Sequence, residues 1–160
     1  MTPEARDYTL LRTVHYMRMG MYDYAIVEDA AYPDNYVQFG VYGAQREMVH
    51  VEVTSRRYDD QVLPPLTRKQ VDALVKLGLS RRKNPNHQVD LESPSPQEIV
   101  TLCERAFAIL GSTPDFDLNV KTGYWHDNPI WNQLARAKGY HDDFFEKDGR
   151  LLPAPGHGKR

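Results

Sequence analysis

One cysteine stands in the chain, Cys103, so an internal disulfide is excluded. No apolar run approaches the roughly 20 residues that span a bilayer. The first residues lack the long apolar core of a secretory signal. These absences lead to the expectation of a cytoplasmic protein. Phosphate-binding glycine loops are missing too, since neither GxxxxGKS/T nor GxGxxG occurs. No GxSxG nucleophile elbow is present. The histidines His15, His50, His87, His126, His141 and His157 are scattered, and no pair has metalloprotease or zinc-finger spacing. The expectation is a protein that is not an enzyme and carries no cofactor or metal.

What is present reads as one ordinary folded domain. The chain has 160 residues, 41% hydrophobic and 26% charged, which fits a single domain with a tail rather than a disordered chain. The net charge of −2 hides an asymmetry. Between Arg56 and Lys83, eight Lys and Arg face three Asp, leaving the rest of the chain acidic. Such a strip can meet a polyanion, or be a solvated helix face and loop. The expected organisation is a domain over 1–120, a helical extension over 121–150 and a disordered tail over 151–160.

Local signals order the elements. Thr2 at a cap with Pro3 next opens a helix carrying Leu10, Leu11, Val14 and Met17, stopped by Gly20. Its other face holds Arg6, Asp7, Arg12, Thr13 and Arg18. A strand follows over Tyr24–Asp29. A second carries Val37, Phe39 and Val41 on one face, and a third Val49, Val51 and Val53. Their short connections favour antiparallel pairing. Thr67 and Gln70 have capping-box spacing before Val71, Leu74 and Leu77, and Gly78 ends that helix. His87–Leu91 fits a short strand. Ser95, Pro96 and Glu98 open a third helix with Ile99, Leu102, Cys103, Ala106, Phe107 and Leu110 on one face. "DFDLNV", Asp115–Val120, fits a last strand, and Asn128-Pro129 starts a fourth helix through Lys138. The order α-β-β-β-α-(β)-α gives the fold class α+β, an antiparallel sheet of three or more strands packed against helices.

Alternation places Tyr36, Gln38, Tyr42, His50 and Glu52 on the side of the strands opposite the valines. An antiparallel sheet can leave one face to a partner, and tyrosine suits interfaces by joining an apolar ring to a polar tip. These five are the candidate partner-binding residues. The alternative is a nucleic-acid or polyanion surface made of Arg56, Arg57, Arg81, Arg82 and Lys83. Against that reading stand the absence of an RNP-like motif and the slightly negative net charge. A third reading is a metal-assisted site around His126, His141, Asp142 and Asp143. Glu28 with Glu52, taken as lying on neighbouring strands, can be drawn as an acid/base pair. Cys103, on the apolar stripe, reads as an inert core thiol.

The segments "NYVQFGVYG…MVHVEVTS", "LPPLTRKQVDALVKLGLS" and "NPNHQVDLES" together resemble the TY-Chap and YbjN-like group of proteins, with their type III secretion chaperone-like fold. Tyr36, Gln38, Glu52, Leu74, Leu77, Gly78, Pro85 and Asn86 occupy the positions that carry the resemblance, over roughly residues 3–120. Leu79 stands where that group often has an aromatic. The resemblance implies a small, non-enzymatic α+β protein, often a homodimer, that holds a segment of a partner protein.

Overall fold

The computed structural model describes residues 1–57, 61–81 and 85–124. The helix expected from Asn128 to Lys138, the cluster at His126, His141, Asp142 and Asp143, and the tail over 151–160 lie outside them. Among the described residues three helices and six strands follow in the order α1 (Pro3–Arg18), β1 (Tyr24–Asp29), β2 (Tyr36–Tyr42), β3 (Met48–Val53), α2 (Arg68–Lys76), β4 (Ser80–Arg81), β5 (His87–Glu92), α3 (Pro96–Leu110) and β6 (Leu118–Gly123). The fold is α+β.

Each helix begins where its cap chemistry predicts. Thr2 Oγ1 accepts from the Ala5 N–H at 3.1 Å, with Pro3 in the first turn, where its missing N–H is no loss. The box at α2 is complete: Gln70 N–H donates to Thr67 Oγ1 at 3.2 Å, and Thr67 N–H to Gln70 Oε1 at 2.9 Å. At α3, Ser95 Oγ accepts from the Glu98 N–H at 3.2 Å. The return bond expected from the Glu98 side chain is not formed among the described residues. Gly111 ends α3 at φ 93°, a left-handed cap that a side chain would strain.

One antiparallel sheet holds every strand, in the order β4-β5-β3-β2-β1-β6. Ala25, Val27, Val37, Phe39, Val41, Val49, Val51, Val53, Leu118 and Val120 point to one side and are buried. α1 and α3 pack on that side, and α2 packs on α3. Leu10, Val14, Met17, Ile99, Cys103, Phe107 and Leu110 complete the core. Burying such branched side chains supplies the main favourable term for folding.

Three expectations change. β6 runs three residues past Val120, pairing Lys121, Thr122 and Gly123 with Ile26, Ala25 and Tyr24, so a boundary at 120 falls inside a strand. Arg6 and Thr13, read as the outer face of α1, are buried. Arg6 forks onto Glu104 at 2.8 and 3.0 Å, donates to the carbonyls of Pro114 and Phe116, and stacks over the Phe116 ring at 4.1 Å. It thereby ties α1 to α3 and to the loop beyond. Leu102, placed on the apolar stripe of α3, is only half-buried, while Val100 takes a buried place.

Candidate partner-binding face

The strand registers set out the other side of the sheet row by row. Gln88, Glu52, Gln38, Ile26 and Lys121 stand side by side across β5, β3, β2, β1 and β6. Asp90, His50, Gly40, Tyr24 and Gly123 form the next row. Glu92, Met48 and Tyr42 extend it at one end, and Tyr36, Glu28 and Asn119 at the other. Side chains two residues apart share a face, so these rows make one surface. No helix among the described residues packs on it.

All five expected contact residues lie on this surface, and Asp90 links two of them. The Tyr42 hydroxyl donates to Asp90 Oδ1 at 3.0 Å, and His50 Nδ1 sits 2.8 Å from the same oxygen. A carboxylate only accepts, so His50 Nδ1 carries a proton toward Asp90. Gln38 faces Glu52 directly across β2 and β3. Tyr36 lies at the far end, where its hydroxyl accepts from Asn86 Nδ2 at 3.1 Å. Tyr42 is exposed, and Tyr36, Gln38, His50 and Glu52 are half-buried.

Beside Tyr36 and Gln38 runs a polar groove of about 570 Å³, lined also by Ile26, Glu28, Asp34 and Lys121. The Lys121 ammonium lies 3.1 Å from Glu28 Oε1, so the carboxylate of the buried Glu28 is compensated. Asp34 closes one end by accepting from the Val62 and Leu63 N–H groups. The Tyr24 ring and hydroxyl occupy the space a Cβ on Gly123 would need.

The acid/base pairing of Glu28 with Glu52 fails on topology. β2 lies between their strands, the two are offset along it, and Glu28 is engaged with Lys121. Cys103 is fully buried, and burial first, then Glu104, push its pKa up, which keeps it a thiol. Among the described residues no three His, Cys, Asp or Glu side chains converge to hold a metal ion.

The basic strip does not assemble as read. Arg56 is buried, with Nε and Nη2 on Asn35 Oδ1 and Nη2 on the Leu110 carbonyl. Burial lowers its pKa. It holds the β1–β2 turn to the end of α3 and is not a surface charge. Arg57 and Arg81 are exposed, whereas Arg82 and Lys83 lie outside the described residues.

Sequence reasoning missed Asp90, Lys121 and Tyr24 on this face. The signal for Asp90 was the alternation in "HQVDLE", which puts Gln88, Asp90 and Glu92 on one face once the segment is known to be a strand. Lys121 emerges only from the pairing of β6 with β1.

The fold is that of an α+β protein whose antiparallel sheet is covered by helices on one side among the described residues. Set against known proteins, the chain matches no family profile, no curated protein and no solved structure. No helix of the described residues is long and apolar enough to cross a membrane.

Proposed function

We propose that this chain is a non-enzymatic, chaperone-like protein-binding module that holds a segment of a partner protein on the sheet face that no described helix covers. The observation that carries the reading is one-sidedness. The described helices stack on the valine face, while the opposite face presents Tyr36, Gln38, Tyr42, His50 and Glu52 across two adjoining strands. A mixed aromatic and polar surface of this kind gives area from the rings and direction from the polar tips. The groove beside Tyr36 offers a concave start for a docked chain. The same face serves self-association, with a second copy as the partner. The resemblance of short motifs to TY-Chap and YbjN-like proteins is of the same kind as this reading and names no partner.

Affinity capture from the native host, with the wild type beside Tyr42→Asp and Gln38→Lys, tests it. One discrete protein, or a dimer seen by light scattering, is expected for the wild type and is lost in both variants. Their far-UV circular dichroism and melting should match the wild type. Equal capture by all three chains would show that the face is wrong.

A further inference from the structure

We propose that His87 is a proton-operated catch: in mild acid its ring takes up a proton and β4 is released from the border of the sheet. The device lies on the helix side, so it stands apart from the reading of the opposite face.

The ring sits where an aliphatic side chain is expected. His87 opens β5 directly opposite Val53 of β3, and Val53 is fully buried on the helix side. Residues opposite one another across a ladder share a face, so His87 joins that interior, at 1% exposure. Neither ring nitrogen has a hydrogen-bond partner among the described residues. A neutral imidazole carries one donor and one acceptor, and leaving both unmet in the interior is costly. A leucine or valine fills such a place without that cost, so packing alone does not account for a histidine.

The charges around the ring set the sign. Arg81 stands opposite on β4 and shares the face, and Arg57 lies just past the end of β3. Burial first, then Arg81 and Arg57, hold the His87 pKa down. The carboxylates of β3 and β5, Glu52, Asp90 and Glu92, stand at even positions and so on the opposite face. On α2, which leads into β4, Arg68, Lys69, Asp72 and Lys76 are exposed. A proton on His87 therefore meets two cations and, on its own face of β3, β4 and β5, no carboxylate.

β4 is the piece the sheet loses most cheaply. It has two residues, both exposed, against six in β5. Ser93 N–H donates to the Glu47 carbonyl, which turns the backbone of odd β5 residues toward β3 and of even ones toward β4. Ser80 and Gln88 are thus the hydrogen-bonded pair of the β4–β5 ladder, and Arg81 with His87 the non-bonded one. Detaching β4 breaks few main-chain bonds, takes the Arg81 charge away from the ring and lets water reach it. The released state accepts the proton that the docked state resists. Its population should rise as pH falls below 6.5, by up to about tenfold per pH unit for one proton.

Amide hydrogen exchange read by NMR, corrected for the intrinsic rate at each pH, tests this in the wild-type chain from about pH 7.5 to 5.5, the range in which histidine titrates. The Ser80 amide should exchange through a local opening that low urea does not promote, whereas Phe39 and Val51 exchange with urea-dependent unfolding. Its protection should fall by up to about tenfold per pH unit below 6.5. Histidine side-chain NMR should show His87 gaining its proton over the same range. His87→Gln and His87→Leu, which bind no proton, should remove the pH dependence. Circular dichroism establishes that both are folded, and the wild-type measurements stand without them. Ser80 protection that is constant with pH, or that follows Phe39 in urea, would overturn the proposal. So would folded variants that keep the wild-type pH dependence, since another group would then be the sensor.

Discussion

Arg6 and Arg56 read in the sequence as surface charge, yet each, like Arg46, ends on backbone carbonyls. Arg46, at φ 56°, reaches Asp23 at 2.8 Å and the carbonyls of Met17 and Tyr22 at 2.7 and 2.6 Å. Arg56 does the same for Asn35 and Leu110. Guanidinium suits the task because its fork spans several acceptors at fixed angles, which an ammonium cannot do. Arg56→Ala is expected to lower stability by about 2–3 kcal/mol, as buried acceptors lose a charged donor. Arg56→Lys should recover little of it, and urea midpoints read both. His87 gives a second residue-scale expectation. It is 1% exposed, and neither ring nitrogen finds a hydrogen-bond partner among the described residues. Burial, then Arg81 and Arg57, lower its pKa below the ordinary 6.5. The folded chain therefore resists a proton that the unfolded chain accepts. The stability contributed by neutral His87 is fully present above 6.5 and is lost as pH falls toward the lowered value. Melting temperatures taken from pH 8 down to about 5 should fall in the wild type, and less in His87→Leu.

At the scale of elements, legibility followed the range of the signal. Caps and glycine stops are local, so Thr2, Thr67, Ser95 and Gly111 marked the helices directly. The valine alternation of β2 and β3 likewise placed both faces of the sheet, and with them all five candidate contact residues. β4 was not legible: two residues, Ser80 and Arg81, carry no periodicity and are a strand only because His87 and Gln88 lie opposite. β6 was displaced in the reading because "NVKTG" has polar alternate positions, and its register is set by β1, more than ninety residues earlier. Arg56 was misread for a related reason, since the Leu110 carbonyl that engages it lies 54 residues away. One local signal can be tested on its own. Gly111→Ala should cost about 1–2 kcal/mol, the strain of a left-handed backbone with a Cβ. The space around Gly111 is open, so the loss should appear as conformational strain alone, with an unchanged fold by circular dichroism.

On the scale of the whole molecule, the described helices cover one side of the sheet, so the two sides have different surroundings. The valine side, with Leu10, Met17, Ile99 and Phe107, carries stability. The opposite side, with Tyr42, His50 and Asp90 in one bonded group, is the side proposed for interaction. Substitutions on the two sides should therefore separate cleanly. Val51→Ala is expected to lose about 1–3 kcal/mol of stability, the usual range for shortening a core aliphatic, as read by urea unfolding. Tyr42→Phe removes the hydroxyl bond to Asp90 and should melt within about 0.5 kcal/mol of the wild type, as surface changes generally do.

The strand order has a consequence in time. β1, β2 and β3 are joined by short turns, but β5 and β6, which flank them, come from later in the chain. During synthesis the three-stranded centre emerges from the ribosome with both borders bare, and each bare border is a template for pairing with a neighbouring nascent chain. The second half of the sequence thus acts as the seal on the first, and the interval before β6 docks is when this protein is most exposed to aggregation.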